Sequence, residues 1–265
     1  MTDHPLNLDT YFARIGYHGP TNRSLETLRQ LHKQQSFTIP FENLDIHLGR
    51  PIKIDPASIV AKLVDEKRGG YCYELNGLFE LVLERLGFTY TTLAARNAMS
   101  PSVQKSHKLL LVNVEQQSWL ADVGFSGIGL VEPIPFEPET EFHQYNDTFR
   151  VKAIAPPVYH FQRKLPDGWQ SLYTFTLEEY YPADYRMMNY FNSTSPDSMF
   201  TNRRMCGIPT PEARVLLTNF ELKIRTANET ITRHIENEDA YREALVTYFG
   251  IVLPTDSTLK SLLPV

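Results

Sequence analysis

The sequence predicts an α+β protein: an N-terminal helical bundle, a central antiparallel β-barrel or sheet, and a C-terminal α/β lid. Three observations carry this. Apolar residues recur at helical spacing through the first third of the chain, then fall into short alternating or continuous runs after Gly87. Both textures return in the last third. The boundaries fall at 1–87, 88–190 and 191–265. With 42% hydrophobic and 22% charged residues, 265 residues suffice for such a core and are not disordered in composition.

Tyr11, Phe12 and Ile15 outline a first helix from Asp9, closed by Gly16. Ser24 is a natural N-cap for a second helix running through Leu25, Leu28 and Leu31. Asp55 and Pro56 open a third, with Ile59, Leu63 and Val64 on its apolar face. The fourth starts at Cys72, repeats apolar residues at Leu75, Leu78, Phe79, Val82 and Leu86, and stops at Gly87. Between the second and third lies a Pro-interrupted loop, Ile39-Pro40-Phe41-Glu42-Asn43-Leu44, in which Glu42 read alone is a solvated carboxylate.

Residues 88–94, 108–114, 118–123, 149–154 and 159–165 read as strands. The second and third form a hairpin around 115–117, which sets His107 and Asp122 on neighbouring strands. Its register stays open. A five-residue loop sets His107 opposite Val123, and a tight turn at Gln116 and Gln117 slides it toward Ser126, so a bend is needed to join His107 to Asp122. In the last third, 177–191 is helix-like but broken by Pro182, and its stripe of Tyr185, Met188 and Phe191 reads as core. Residues 214–225 and 231–235 resemble strands. Asn237 caps a final helix carrying Tyr241, Leu245, Val246 and Phe249 ahead of Gly250.

The chemistry concentrates in Arg68-Gly69-Gly70-Tyr71-Cys72-Tyr73-Glu74-Leu75-Asn76. A thiol on the first turn of a helix meets the positive end of the dipole and unpaired backbone N–H groups, which favour the nucleophilic thiolate. The two glycines permit a sharp turn and a close approach to the backbone. His107 and Asp122 follow in the order nucleophile, base, orienting acid. Asp122 lies among apolar residues, where a charge needs a partner, and a histidine N–H is a suitable one. His143, His160 and His234 each stand alone and read as surface or packing residues.

Several classes are excluded. The formal charge of -5 and pI near 5.9 disfavour nucleic acid or an anionic membrane as partner. Two cysteines cannot make a disulfide framework, and residues 1–9 lack a signal-peptide pattern, so a cytoplasmic protein is expected. No apolar run approaches the ~20 residues that span a bilayer. No metal-ligand spacing, nucleophile elbow or phosphate-binding glycine loop is present.

Arg68-Gly69-Gly70-x-Cys72-x-Glu74-x-Asn76, preceded by Pro40-Phe41-Glu42-Asn43-Leu44 and followed by Asp122-Val123-Gly124-Phe125, resembles the arylamine N-acetyltransferases. The similarity continues through residues 169–175 and Ser193-Thr194-Ser195-Pro196-x-Ser198-x-Phe200. The resemblance implies that acetyl-coenzyme A acetylates Cys72, which passes the acetyl group to an aromatic amine or hydrazine by ping-pong kinetics. It implies that His107 and Asp122 complete a triad on a fold related to cysteine proteases and transglutaminases, without metal. It further implies that Glu42 and Arg68 pair beside the site and that Phe125, with Phe41 and Phe200, contacts the substrate. The chemistry itself requires an oxyanion hole, for which backbone N–H groups at the helix start, that of Cys72 included, are the natural donors.

Ser126 departs from the glycine that many members carry, which bears on substrate range rather than on the chemistry. Arg203 and Arg204 read as a solvated charged face ahead of a coenzyme phosphate contact, and Cys206 as structural. The acceptor amine and the oligomeric state are left open. Two rivals remain: a triad enzyme that hydrolyses, cross-links or synthesises amides, and an inactive binding module.

Overall fold

The computed structural model describes residues 5–98 and 104–259. Its helices are α1 (Leu8–Ile15), α2 (Leu25–Thr38), α3 (Leu44–His47), α4 (Pro56–Val60), α5 (Cys72–Arg85), α6 (Pro182–Thr194), α7 (Met199–Asn202) and α8 (Glu238–Phe249). The first strands are β1 (Phe41–Glu42), β2 (Thr89–Asn97), β3 (His107–Val114), β4 (Gln117–Ala121), β5 (Ile134–Pro135), β6 (Phe142–Gln144) and β7 (Asp147–Ala155). They are followed by β8 (Val158–Leu165), β9 (Gly168–Glu179), β10 (Met205–Pro209), β11 (Ala213–Thr218), β12 (Glu221–Thr226) and β13 (Thr230–His234).

The helix ends follow their caps. Ser24, Asp55 and Asn237 each accept a backbone N–H from the first turn, and Gly16 and Gly250 close α1 and α8 in the left-handed conformation. After α4 the chain widens into a π-helical turn over Ala61–Asp65. Nearly all of α5 is buried, because its apolar residues surround it: one side faces the bundle and the other lies on β3. Leu75, Leu78, Phe79 and Val82 are each at most 1% exposed, and each such burial contributes roughly 1.5–3 kcal/mol.

Two antiparallel sheets complete the α+β fold. The larger runs β5-β4-β3-β2-β9-β8-β7-β6, and the smaller runs β1-β10-β11-β12-β13 with α8 packed against it. The hairpin between β3 and β4 turns at Glu115 and Gln116, both in the left-handed region, and pairs Val114 with Gln117. This turn lies between the two slides that the sequence left open.

Three readings of the sequence need correction. Residues 177–179 are strand, the end of β9, because they continue its pairing with β2. Pro182 starts α6 instead of breaking a helix, since the first helical position needs no N–H. Phe41 and Glu42 are a strand, short because Pro40 precedes it, and it joins the first third of the chain to the sheet of the last.

That strand also meets the cysteine loop. Glu42 N–H donates to Gly70 O (3.0 Å) and Gly70 N–H to Pro40 O (3.2 Å). A Cβ on Gly69 would sit 2.3 Å from Pro40 O, a backbone atom that cannot swing away. Gly69→Ala is therefore expected to destabilise the fold by about 1–3 kcal/mol or more, measured as a lower urea midpoint at unchanged m-value.

Candidate active site

Three elements bring the thiol, imidazole and carboxylate together. Cys72 is the first residue of α5, so its N–H has no intrahelical acceptor. Its Sγ lies 3.6 Å from Ser106 O, and the next residue, His107, opens β3. His107 Nε2 is 2.7 Å from Asp122 Oδ2, which leaves Nδ1 for the thiol.

The bend anticipated between His107 and Asp122 is present. Extending the Leu110–Ala121 pair by three residues sets His107 level with Gly124, but β4 ends at Ala121 and Asp122 turns back. Gly124 N–H and Asn76 Nδ2 each donate to Asp122 Oδ1 at 3.0 Å. Asn76 also donates to Lys108 O (2.7 Å) and accepts from Val123 N–H (3.1 Å). It stands one turn beyond Cys72, so the helix that carries the thiol also aims the acid. The Asp122 N–H donates to Nε2 of the buried His32 on α2, at 3.0 Å. The helical spacing from Cys72 points to Asn76; no local signal points to His32.

The electrostatics follow the contacts. Burial alone would lower the His107 pKa, but the charge and hydrogen bond of Asp122, with Cys72 adding to them, hold it up to about 10. Burial would raise Asp122, and His107, Asn76 and the Gly124 N–H keep it below its ordinary value. Burial pushes His32 down to about 4.

A buried file of alternating charge supports the cysteine loop. Arg68 donates through Nε and Nη2 to Glu42 Oε1 (3.0 and 2.7 Å) and through Nη2 to Asp45 Oδ1 (3.2 Å). Lys62 Nζ lies 2.7 Å from both Asp45 Oδ2 and Glu74 Oε1. Glu74 Oε2 accepts the Tyr71 N–H at 3.0 Å, at the start of α5. Burial, reinforced by the Glu42 charge and opposed by Lys62, raises Glu74 to about 7. Glu42 is wholly buried and also accepts the Leu44 N–H (2.7 Å), so the solvated reading of that residue does not hold.

Cys72 and His107 open onto a cavity of about 540 Å³ whose aromatic wall includes Phe41, Phe125 and Phe200. The Phe125 and His107 ring centroids are 5.1 Å apart, and those of Phe41 and Phe200 6.2 Å. Ser126 lines the cavity at φ 46°, a left-handed conformation that favours glycine. The Phe200 and Arg203 carbonyls each accept from Asn43 Nδ2 (2.9 and 2.7 Å) and from His47 Nε2 (3.0 Å each). Arg203 is exposed, whereas Arg204 is buried, over Tyr241 and Phe220 and paired with Glu238 at 2.6 Å. A solvated face therefore describes Arg203 alone. Cys206 is buried in the core of the smaller sheet. His143 and His234 are exposed, and His160 is half-buried against Ser171. Among the described residues, no group of three or more His, Cys, Asp or Glu could hold a metal ion, and no helix is long and apolar enough to cross a membrane.

Comparison with known proteins gives first the class. Residues 24–258 match the family model for N-acetyltransferases. The arylamine N-acetyltransferase of Escherichia coli K12 is 39% identical over 217 residues, covering 80% of this chain and 77% of that protein. The structure of the Salmonella typhimurium arylamine N-acetyltransferase superposes with a TM-score of 0.88 at 32% identity, covering 94% of this chain and 93% of that one. The Mycobacterium marinum arylamine N-acetyltransferase in complex with CoA gives 0.88 at 33%, covering 92% and 93%. The chain belongs to the arylamine N-acetyltransferases, a family of acyltransferases.

Two outcomes are expected. Glu42→Ala leaves the Arg68 guanidinium buried without its main partner and lowers unfolding free energy by about 3–5 kcal/mol in urea titrations. The two histidines give opposite pH slopes. The unfolded chain binds more protons than the folded one at His32 between pH 6.5 and about 4, so acidification across that window costs on the order of 3 kcal/mol. At His107 the folded chain holds the extra proton, so stability falls as pH rises from 6.5 toward about 10. Asp122→Asn is expected to remove that alkaline slope in urea unfolding measured across pH.

Proposed function

We propose that this protein transfers the acetyl group of acetyl-coenzyme A to the nitrogen of an aromatic amine or hydrazine through an acetyl-Cys72 thioester. The observation that carries the reading is Cys72 and His107 lining an aromatic cavity, with Asp122 hydrogen-bonded behind the imidazole, in a chain of this family. The family member bound to CoA supports coenzyme A as the donor's carrier. Two unpaired cysteines support a cytoplasmic setting.

In the first half-reaction Cys72 Sγ, as thiolate beside the His107 imidazolium, attacks the acetyl carbonyl carbon. The carbon–sulfur bond to coenzyme A breaks, and its sulfur leaves with the His107 proton. One thioester replaces another, so the step is nearly even in energy. In the second, a neutral amine attacks acetyl-Cys72, His107 takes the amine proton, and the Cys72 thiolate leaves. Asp122 holds the ring in orientation and stabilises its positive charge. Backbone N–H groups at the start of α5, that of Cys72 included, face the charge that develops on the carbonyl oxygen. Phe41, Phe125 and Phe200 offer faces and edges to an aromatic acceptor, and the Ser126 hydroxymethyl narrows its range. Glu42 and Arg68 act through the loop they hold and take no part in the bond changes.

Intact mass tests the reading directly. Mixing the enzyme with acetyl-coenzyme A is expected to add one acetyl group, which an aromatic amine then discharges and which Cys72→Ala never acquires. An unchanged mass would overturn the transferase reading in favour of a triad enzyme acting on amides. Steady-state rates should give parallel double-reciprocal lines, and Asp122→Asn should lower kcat/KM by roughly 10³–10⁴-fold.

A further inference from the structure

The loop from Asp122 to Val131 supplies the pocket residues Phe125, Ser126 and Ile128, and both of its ends reach one imidazole. His32, fully buried on α2, accepts the Asp122 N–H through Nε2 at 3.0 Å and contacts Val131 O through Nδ1 at 2.8 Å. A backbone N–H can only donate, so Nε2 must offer its lone pair. Nδ1 therefore carries the hydrogen and donates it to Val131 O, and the ring is held neutral in one tautomer. Phe79 packs edge-on against it at 5.5 Å, and Ser36 Oγ lies 3.5 Å from Nδ1, which leaves the ring little freedom to turn.

We propose that His32 is a positioning residue that clasps the two ends of the pocket loop, fixing the direction of Asp122 through Nε2 and the acceptor wall through Nδ1. Its influence on the reaction runs through Asp122 to His107, and through Val131 to Phe125 and Ser126; it touches no substrate. The proposal rests on the transferase reading of the site.

The two functions of the ring can be separated, because asparagine and glutamine each reproduce one half of it. The Asn amide nitrogen stands near the place of Nδ1 and keeps the donor to Val131 O, but nothing accepts the Asp122 N–H. The Gln amide oxygen reaches the place of Nε2 and keeps that acceptor, but the donor to Val131 is lost. Four quantities are measured on wild type, His32→Asn and His32→Gln: melting temperature, kcat, amine KM, and the pH profile of Cys72 alkylation by iodoacetamide.

His32→Asn is expected to shift the alkylation profile and to lower kcat by roughly 10- to 100-fold, the cost of a misaimed acid. His32→Gln should keep the wild-type alkylation profile and kcat but raise the amine KM several-fold. Equal loss in both variants, tracking melting temperature with unmoved alkylation profiles, would reduce His32 to core packing and overturn the proposal. So would wild-type kinetics in both. Alkylation of the wild type is examined first: a Cys72 no more reactive than free cysteine at neutral pH sinks the reading of the site itself, independently of the variants.

Discussion

The buried file Glu42, Arg68, Asp45, Lys62, Glu74 is the constraint on which the site depends. Three carboxylates and two cations removed from water are unfavourable singly, and only their alternation makes the arrangement tolerable. The file forms only when β1 with the adjoining α3, the turn carrying Lys62, and the run from Arg68 into the first turn of α5 are in place together. It ends on the Tyr71 N–H, the residue before the thiol. Because β1 also pairs with β10, the same condition fastens the C-terminal sheet to the cysteine loop. The position of one sulfur thus depends on residues from the first and last thirds of the chain.

Around that anchor the roles are divided by rigidity. The helix α5 supplies both the thiol and, one turn on, the amide of Asn76 that orients the acid. The hairpin supplies the imidazole from a strand buried on both faces. Only the stretch after Ala121 is irregular, and Asn76, the Gly124 N–H and His32 hold it at three points. An acid in an apolar setting requires such attention, since any unmet hydrogen bond there would cost about 1–3 kcal/mol.

What the sequence disclosed and what it withheld divide along sequence distance. Ser24, Asp55 and Asn237 announce their helices because caps act within three residues. The thiol at a helix start was equally local. Glu42 looked solvated because its partner is 26 residues away, and β1 is too short to show a period. The hairpin register turned on Glu115 and Gln116, neither of them a residue that advertises a left-handed turn. The end of β9 misled for a different reason: Leu177, Glu178 and Glu179 suit a helix by propensity, and pairing with β2 overrode it. His32 carries no local mark at all, its two partners being 90 and 99 residues distant.

The hold on Phe200 has a consequence for how this pocket could diversify. Asn43 and His47 grip carbonyl oxygens of the main chain, while the ring is held separately, by packing against Phe41 and Tyr71. A different side chain at position 200 would keep the main-chain hold and lose only the ring contacts, like a tool bit changed in a fixed chuck. Change at that one codon would reshape the aromatic wall while Cys72, His107 and Asp122 stay as they are.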